Sequence, residues 1–226
     1  MTKPLPPGQK ERADFPRFGV GKYAELVPRL PEVFQLEVGG DLVADQVLGT
    51  DDLAALPRVE QVSDFHCVTT WSKIGLRWEG VRFSEFYERL VQPHLAKEPG
   101  FVVFRCLDTL VTGLPMEDAL AADVLLADTL DGQPLGLSHG APLRLVAPAH
   151  DGFKNPKHIH RLEFWEEAQK LKSGIDALLD HPRGRVALEE RGALPGVILR
   201  YLYRPVVTST VRQFDRALKK WPNGRE

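Results

Sequence analysis

The feature that most constrains the fold is a series of short apolar segments, spaced by Gly and Pro, between about residue 34 and residue 165. Residues 34–38 alternate apolar and polar side chains before Gly39 and Gly40, which predicts a strand that enters a hairpin. Residues 101–104 are continuously apolar, as in a strand buried on both faces. The pattern predicts an α+β fold, dominated by a mixed β-sheet and containing only short helices.

The same reasoning assigns the other elements of this region. Strands are predicted over 58–65, around 124–126 and over 143–146, and short helices over 50–56, 84–91 and 116–121. Residues 1–31 contain six prolines, so this segment is predicted to lie extended over the surface or over a ligand.

The pattern changes after Trp165. Helices are predicted over 166–179 and 209–221, because residues 211, 214, 218 and 221 of the second segment place apolar side chains on one face. Residues 183–226 hold ten Arg and Lys against four Asp and Glu. We therefore predict a domain over 1–165 and a basic, helical C-terminal extension over 166–226 that packs on it. A tail that binds an electron-transfer partner, a second subunit or nucleic acid is the alternative.

Composition limits the partners and the location. The chain has 226 residues, 43% of them hydrophobic, which is enough to build a core, and its net charge of −2 predicts no nucleic-acid binding. The N-terminus shows no apolar signal region and no twin arginine, and no run of about 18 apolar residues follows. The expected location is the cytoplasm, without membrane association. Two cysteines give no disulfide framework.

One of these cysteines is placed where a metal ligand would be. Cys67 follows the predicted strand 58–65 and has polar neighbours, namely His66, Thr69, Thr70 and Ser72. A free cysteine alone is commonly core filler, but this polar setting favours a thiolate that binds a soft metal. The second cysteine, Cys106, ends the apolar strand and is better explained as an inert buried thiol.

A second motif carries positive charge among glycines. Residues 135–157 contain Arg144, Lys154 and Lys157, together with glycines that let backbone N–H groups approach a ligand. Arginine can offer two parallel donors to a phosphate, and lysine supplies a compact charge. The alternative is a solvated basic loop. His158 and His160 would share one face of a strand, and a structural pair is the favoured interpretation because no third ligand accompanies them.

Together the two motifs resemble a known family. The wording F-H-C-V-T-x-W-S…W-E-G-V at 65–81 and H-G-x-P-x-R-L-x-x-P…G-x-K-x-x-K at 139–157 is similar to the sulfite-oxidase-like, molybdopterin-dependent oxidoreductases. The resemblance spans roughly residues 6–165. It implies the sulfite-oxidase-type fold, a Mo-molybdopterin cofactor and Cys67 as the catalytic residue that binds molybdenum. The cofactor-binding residues that it implies are Arg17, Phe18, His66, Cys67, Thr69, Cys106, His139, Arg144, Lys154, Asn155, Pro156 and Lys157.

The resemblance also implies a reaction, the two-electron transfer of an oxygen atom to or from a small molecule. Sulfite oxidases carry an arginine soon after the ligand cysteine, whereas this chain has Trp71 and Ser72 there, so a neutral oxygen donor such as a sulfoxide is predicted. Arg17, Arg77 or Arg105 could fold back and restore a cationic pocket. A molybdopterin-binding protein without turnover and a sulfite-oxidising enzyme are the alternatives.

The source of electrons is the last expectation. No haem-attachment motif, Rossmann glycine pattern or iron–sulfur cysteine set occurs in the sequence, so a separate electron-transfer partner is expected. The oligomeric state stays open.

Overall fold

The computed structural model describes residues 4–17, 19, 23, 26–171 and 180–220, and within them the chain forms two β-sheets with short helices. The strands are β1 (Lys10–Glu11), β2 (Leu36–Gly40), β3 (Gln46–Leu48), β4 (Arg58–Cys67), β5 (Trp71–Arg82), β6 (Phe101–Cys106), β7 (Val111–Pro115), β8 (Leu125–Leu130), β9 (Gln133–Pro134), β10 (Arg144–Val146) and β11 (Ile159–Trp165). The helices are α1 (Thr50–Ala54), α2 (Phe83–Phe86), α3 (Met116–Ala119), α4 (Gly196–Tyr203) and α5 (Val206–Lys220).

The first sheet is built around the long β4–β5 hairpin. β4 pairs antiparallel with β5, which in turn pairs antiparallel with β8, and β8 pairs with β9 and β10. The short N-terminal β1 lies parallel to the start of β5, with Lys10 opposite Trp71. Gly80 is required where β5 approaches β8, because a Cβ atom there would lie 2.1 Å from the carbonyl oxygen of Leu126.

The second sheet has the order β3-β2-β11-β6-β7. Its β2–β11 pair is parallel and its other pairs are antiparallel, so the sheet is mixed as the sequence predicts. β2 and β3 form the predicted hairpin.

The main core lies between the two sheets. Successive side chains of a strand point to opposite faces of its sheet, so neighbouring residues belong to different clusters. Leu126 of β8 and Leu145 of β10 pack in the main core with Phe104 of the second sheet. Their neighbours Leu125 and Val146 join a smaller cluster on the other face of the first sheet, around Trp78. Phe15 and Phe65 pack on that smaller cluster. The N-terminal arm therefore covers the face of the first sheet that lies opposite the main core.

Several predicted boundaries differ from those observed. β4 runs to Cys67 and not to residue 65, and α2 is followed by a wider helical turn at Tyr87–Val91 in place of one regular helix over 84–91. Residues 166–171 are not helical, so that part of the predicted helix 166–179 is wrong, and residues 172–179 lie outside the described residues. The final helix begins at Val206, three residues before the predicted start.

The C-terminal segment reaches the N-terminal arm. Arg191 donates to the carbonyl of Pro7 at 3.3 Å and Arg204 donates to that of Gly8 at 3.2 Å. The division into a domain over 1–165 and an extension over 166–226 stays a prediction. No described helix is long and apolar enough to span a lipid bilayer.

Candidate active site

Cys67 is the last residue of β4 and lies opposite Trp71 at the tight connection to β5. Thr70 closes this turn with a φ of 78° and an N–H that donates to the Cys67 carbonyl at 2.9 Å. The Cys67 Sγ atom lies 3.1 Å from Thr69 Oγ1. Burial raises the pKa of the thiol to about 11, an effect that the Thr69 hydrogen bonds oppose. A cation at Sγ would therefore be needed to hold the thiolate.

The polar neighbours of Cys67 form one hydrogen-bonded chain. His66 Nδ1 lies 2.8 Å from Ser72 Oγ, and Ser72 Oγ donates to Gln9 Oε1 at 3.1 Å. Gln9 Nε2 then donates to the Cys67 carbonyl at 3.1 Å. The polar residues that the sequence places around Cys67 are thus buried and paired, and Gln9 of the N-terminal arm completes the set.

Three cations and a histidine meet beside this loop, and we call Arg17, Arg144, Lys157 and His158 the cation cluster. Burial lowers the pKa of Arg144 to about 9 and that of Arg17 to about 10. Burial and the charges of both arginines lower the pKa of Lys157 to about 7. The pKa of His158 falls to about 3 through burial and the charge of Lys157. Burial is the largest cause of each shift, so the charged form of each group would gain from an anionic partner.

The cation cluster fits a phosphate group. Arg17 Nε and Nη1 and His158 Nε2 are buried and have no hydrogen-bond partner among the described residues. The one carboxyl that opposes the low pKa values of Arg17 and Lys157 is Asp108, whose own pKa burial raises. A ligand that carries several anionic oxygens would pair the two Arg17 donors and relieve the repulsion among the cations of the cluster. The residues present therefore fit the terminal phosphate of a molybdopterin, with the Cys67 thiol as the protein's sulfur donor to the metal.

Arg144 and His139 are held by the surrounding chain. Arg144 donates to the His139 carbonyl at 2.9 Å, and its guanidinium lies 4.7 Å from the Trp78 ring centroid. The His139 ring stacks on Phe15 with centroids 4.7 Å apart. Gly140, at a φ of 114°, lets the backbone approach Arg144 and Lys157, since a Cβ atom there would lie about 3 Å from both side chains.

The other residues of the basic motif make contacts within the protein. Lys154 is buried, donates to the Gly113 carbonyl at 3.0 Å and lies 3.6 Å from Asp180. The Asn155 side chain bridges the backbone at Ala147, and the Pro156 carbonyl accepts from Leu145. Lys157, by contrast, reaches the Ser138 carbonyl at 3.3 Å within the cation cluster. A cofactor role for Lys154, Asn155 and Pro156 stays a prediction.

Three further predictions concern residues at the edge of this region. Cys106 is buried in the main core, and burial raises the pKa of its thiol. Phe18 lies outside the described residues. His158 precedes β11 with a φ of 60°, and its Nδ1–H donates to the Ala141 carbonyl at 2.6 Å, so the expectation that it shares a strand with His160 is wrong.

Of the three arginines expected as possible sources of a cationic pocket, one reaches the site. Arg17 joins the cation cluster, stacks 4.6 Å from the Phe214 ring and donates to the Leu26 carbonyl. Arg105 pairs with Glu163, and Arg77 is exposed. Arg191 is a further cation beside Cys67 and donates to the Val68 carbonyl at 2.6 Å. Its separation of 123 residues from Val68 left no local signal in the sequence.

Asp151 and Tyr203 are two more groups near the thiol. Asp151 is fully buried, and burial raises the pKa of its carboxyl to about 7. Burial and the charge of Asp151 both raise the pKa of the Tyr203 phenol, which also responds to Arg191 and Cys67. Asp151 lies within the basic motif at 135–157 and could be found from it, whereas Tyr203 is the last residue of α4 and is distant from the motif in the sequence.

Comparison with known proteins agrees with this geometry. Residues 24–172, about two thirds of the chain, match the family described as "Oxidoreductase molybdopterin binding domain". The chain is 33% identical over 165 residues to the "Uncharacterized oxidoreductase YuiH" of Bacillus subtilis, and the match covers 72% of this chain and 80% of the relative.

Two other relatives carry more specific names. The "Putative protein-methionine-sulfoxide reductase subunit YedZ1" of Azospira oryzae is 43% identical over 130 residues, covering 57% of this chain and 48% of the relative. The "Protein-methionine-sulfoxide reductase catalytic subunit MsrP" of Xanthomonas axonopodis pv. citri is 30% identical, covering 69% and 56%. The chain thus spans about half the length of these two relatives.

The fold has a counterpart among solved structures. The sulfane dehydrogenase SoxCD of Paracoccus pantotrophus superimposes with a TM-score of 0.58 at 22% identity, covering 70% of this chain and 45% of that one. The two mixed sheets and short helices are thus a sulfite-oxidase-type fold, as the sequence predicts. The matched domain, the relatives and the cation cluster lead to one conclusion: the chain belongs to the sulfite-oxidase-like family of oxidoreductases and is an enzyme that uses Mo-molybdopterin.

Proposed function

We propose that this oxidoreductase removes an oxygen atom from a neutral donor such as a sulfoxide, using electrons from a separate protein. The names of the relatives from Azospira and Xanthomonas support this substrate class. In the reaction R₂SO + 2e⁻ + 2H⁺ → R₂S + H₂O, the bound cofactor supplies the two-electron oxygen exchange. The chain has to hold the cofactor, exclude bulk water and admit the substrate.

The residues divide this work between two regions. Arg17, Arg144 and Lys157 would hold the phosphate end of the cofactor, where their charges otherwise have little compensation. Cys67 would bind the metal at the end of β4, while Gln9 fixes the Cys67 carbonyl from the N-terminal arm. The cation cluster would therefore hold the phosphate of the cofactor, and Cys67 would hold its metal.

The observation that carries the substrate proposal is the state of Trp71 and Ser72. Trp71 is 3% exposed and Ser72 is fully buried and bonded to His66 and Gln9, so neither of these two positions offers a cation to an incoming anion. Transferring a dianion such as sulfite into a buried site without a paired cation costs several kcal/mol. A neutral donor avoids this cost.

The electron source and the location belong to the same proposal. Relatives named as subunits support a separate electron-transfer partner. The location that we propose is the cytoplasm, a reducing compartment in which Cys67 and Cys106 would stay free thiols.

A steady-state comparison tests the substrate class. Cofactor-loaded protein is supplied with electrons from a reduced dye, with methyl p-tolyl sulfoxide as acceptor, and sulfite oxidation is followed separately with an oxidised dye. The expected result is a higher kcat/KM for the sulfoxide, absent in Cys67→Ala. A higher kcat/KM for sulfite would contradict the proposal.

A further inference from the structure

Backbone contacts at Asp151 and Gly152 position Asp151 beside Cys67. Its N–H donates to the Gly184 carbonyl at 2.8 Å, and the next residue, Gly152, lies so close to Phe65 of β4 that a Cβ atom would be 2.5 Å from the ring. Phe65 is two residues before Cys67. Both carboxyl oxygens of Asp151 are buried and have no hydrogen-bond partner among the described residues.

Arg191 approaches the same place from the C-terminal segment. It is fully buried, and its hydrogen bond to the Val68 carbonyl fixes the guanidinium at the residue after Cys67. Its Nε atom has no partner among the described residues. Arg191 and Asp151 both influence the pKa of the Cys67 thiol, after burial and the Thr69 hydrogen bonds, and with opposite signs. The Asp151 carboxyl and the Arg191 guanidinium, with its unpartnered Nε, therefore lie near one sulfur atom and carry opposite charges.

The charges around Arg191 can be counted. Glu189 lies 3.5 Å from Arg191, but it also accepts three hydrogen bonds from Arg200, at 3.1, 2.5 and 2.6 Å. Two arginines thus share one carboxylate, which leaves one positive charge. An ionised Asp151 cancels that charge.

We propose that Asp151 is a specificity-determining residue, which offsets the charge of Arg191 beside Cys67 and so makes the substrate pocket accept neutral oxygen donors and reject anions. This inference rests on the proposed function and names the group responsible for its substrate class. Without the Asp151 charge, Arg191 would present its unpaired N–H to an oxyanion in a buried site, where such a contact is strong.

The test measures anion binding apart from turnover. Inorganic sulfate is titrated into the cofactor-loaded protein by calorimetry at pH 8 and low salt, so that the cofactor phosphate already occupies the cation cluster. Asp151→Asn is expected to bind sulfate roughly tenfold or more tightly than the wild type, because a like charge is removed from a poorly screened site. Asp151→Ser provides a second, smaller replacement if the amide disturbs folding.

A matched control removes a carboxylate elsewhere. Asp45→Asn breaks a surface pair with Arg161 and is expected to leave sulfate affinity unchanged. Equal sulfate affinity in wild type and both Asp151 variants, or an equal gain in Asp45→Asn, would overturn the inference even if sulfoxides are reduced. A gain confined to the Asp151 variants in a protein that reduces no sulfoxide would support the charge assignment and refute the proposed substrate.

Discussion

Replacing Arg144 with Met should have different effects on the cofactor-free and cofactor-loaded forms. Burial holds the pKa of Arg144 near 9, a depression that costs the charged folded form roughly 4–5 kcal/mol. Its two carbonyl contacts, to His139 and Leu145, return roughly 1–2 kcal/mol each, and its stacking over Trp78 about 1–2 kcal/mol. These contributions nearly cancel, so the cofactor-free protein should change in unfolding free energy by no more than about 2 kcal/mol.

The cofactor-loaded form should lose more. Removing a charge-assisted contact to phosphate costs roughly 1.5–3 kcal/mol, which corresponds to about a 10- to 100-fold weaker retention of the cofactor. Urea unfolding of the cofactor-free proteins gives the first quantity, and pterin release, followed by fluorescence after oxidation, gives the second. Arg58→Met, which breaks a surface pair with Asp128, is the control. Unaltered retention together with a loss of more than about 4 kcal/mol in the cofactor-free form would show that Arg144 acts on folding alone.

Lys157→Met should remove one source of pH dependence from the cofactor-free protein. The folded pKa of Lys157, about 7, lies below the unfolded value, so its contribution makes stability rise with pH between about 7 and 8.5, where the folded state has already lost the proton. Urea unfolding should show a smaller rise over this range in the variant than in the wild type. Cys67→Ala should lose the oxygen-transfer activity but keep its circular dichroism spectrum; full oxygen-transfer activity in this variant would show that Cys67 is not the metal ligand. Cys106→Ala should retain molybdenum, as elemental analysis would show, because this thiol belongs to the main core. Lys154→Met should destabilise both forms by a similar amount, about 1–3 kcal/mol in denaturation, since its bond goes to Gly113; a loss only in the loaded form would assign Lys154 to the cofactor.

The sequence predicted those elements that are determined by residues close together in the chain. The alternation at 34–38 and the glycines after it give the hairpin that β2 and β3 form. Apolar residues at 101–104 give β6, which is buried on both faces. The helix over 166–171 failed for a complementary reason. A short helix is stable mainly through packing of its apolar face, and the sequence alone does not show whether residues 166–171 have a surface to pack against. The intrinsic helix propensity of so short a segment is too weak to form a helix without that packing.

The site shows the same limit. Cys67 and Arg144 stand in recognisable motifs, so the sequence could place both near one ligand. The partners that complete their surroundings come from distant segments: Gln9 is 58 residues from Cys67, and Arg191 is 123 residues from Val68. Such pairings are set by tertiary packing of the two chain ends, which no local pattern encodes.

The contacts of Arg191 and Arg204 with Pro7 and Gly8 have a consequence for how tightly the site can hold a ligand. The N-terminal arm and the C-terminal segment meet beside the loop that carries Cys67. A closed site therefore exists only in the fraction of molecules in which both segments are docked. Observed affinity falls in proportion to that fraction. A substitution that weakens the docking of either segment, even far from Cys67, therefore lowers the population of the binding-competent conformer. Conversely, ligand binding should protect both ends from proteolysis together.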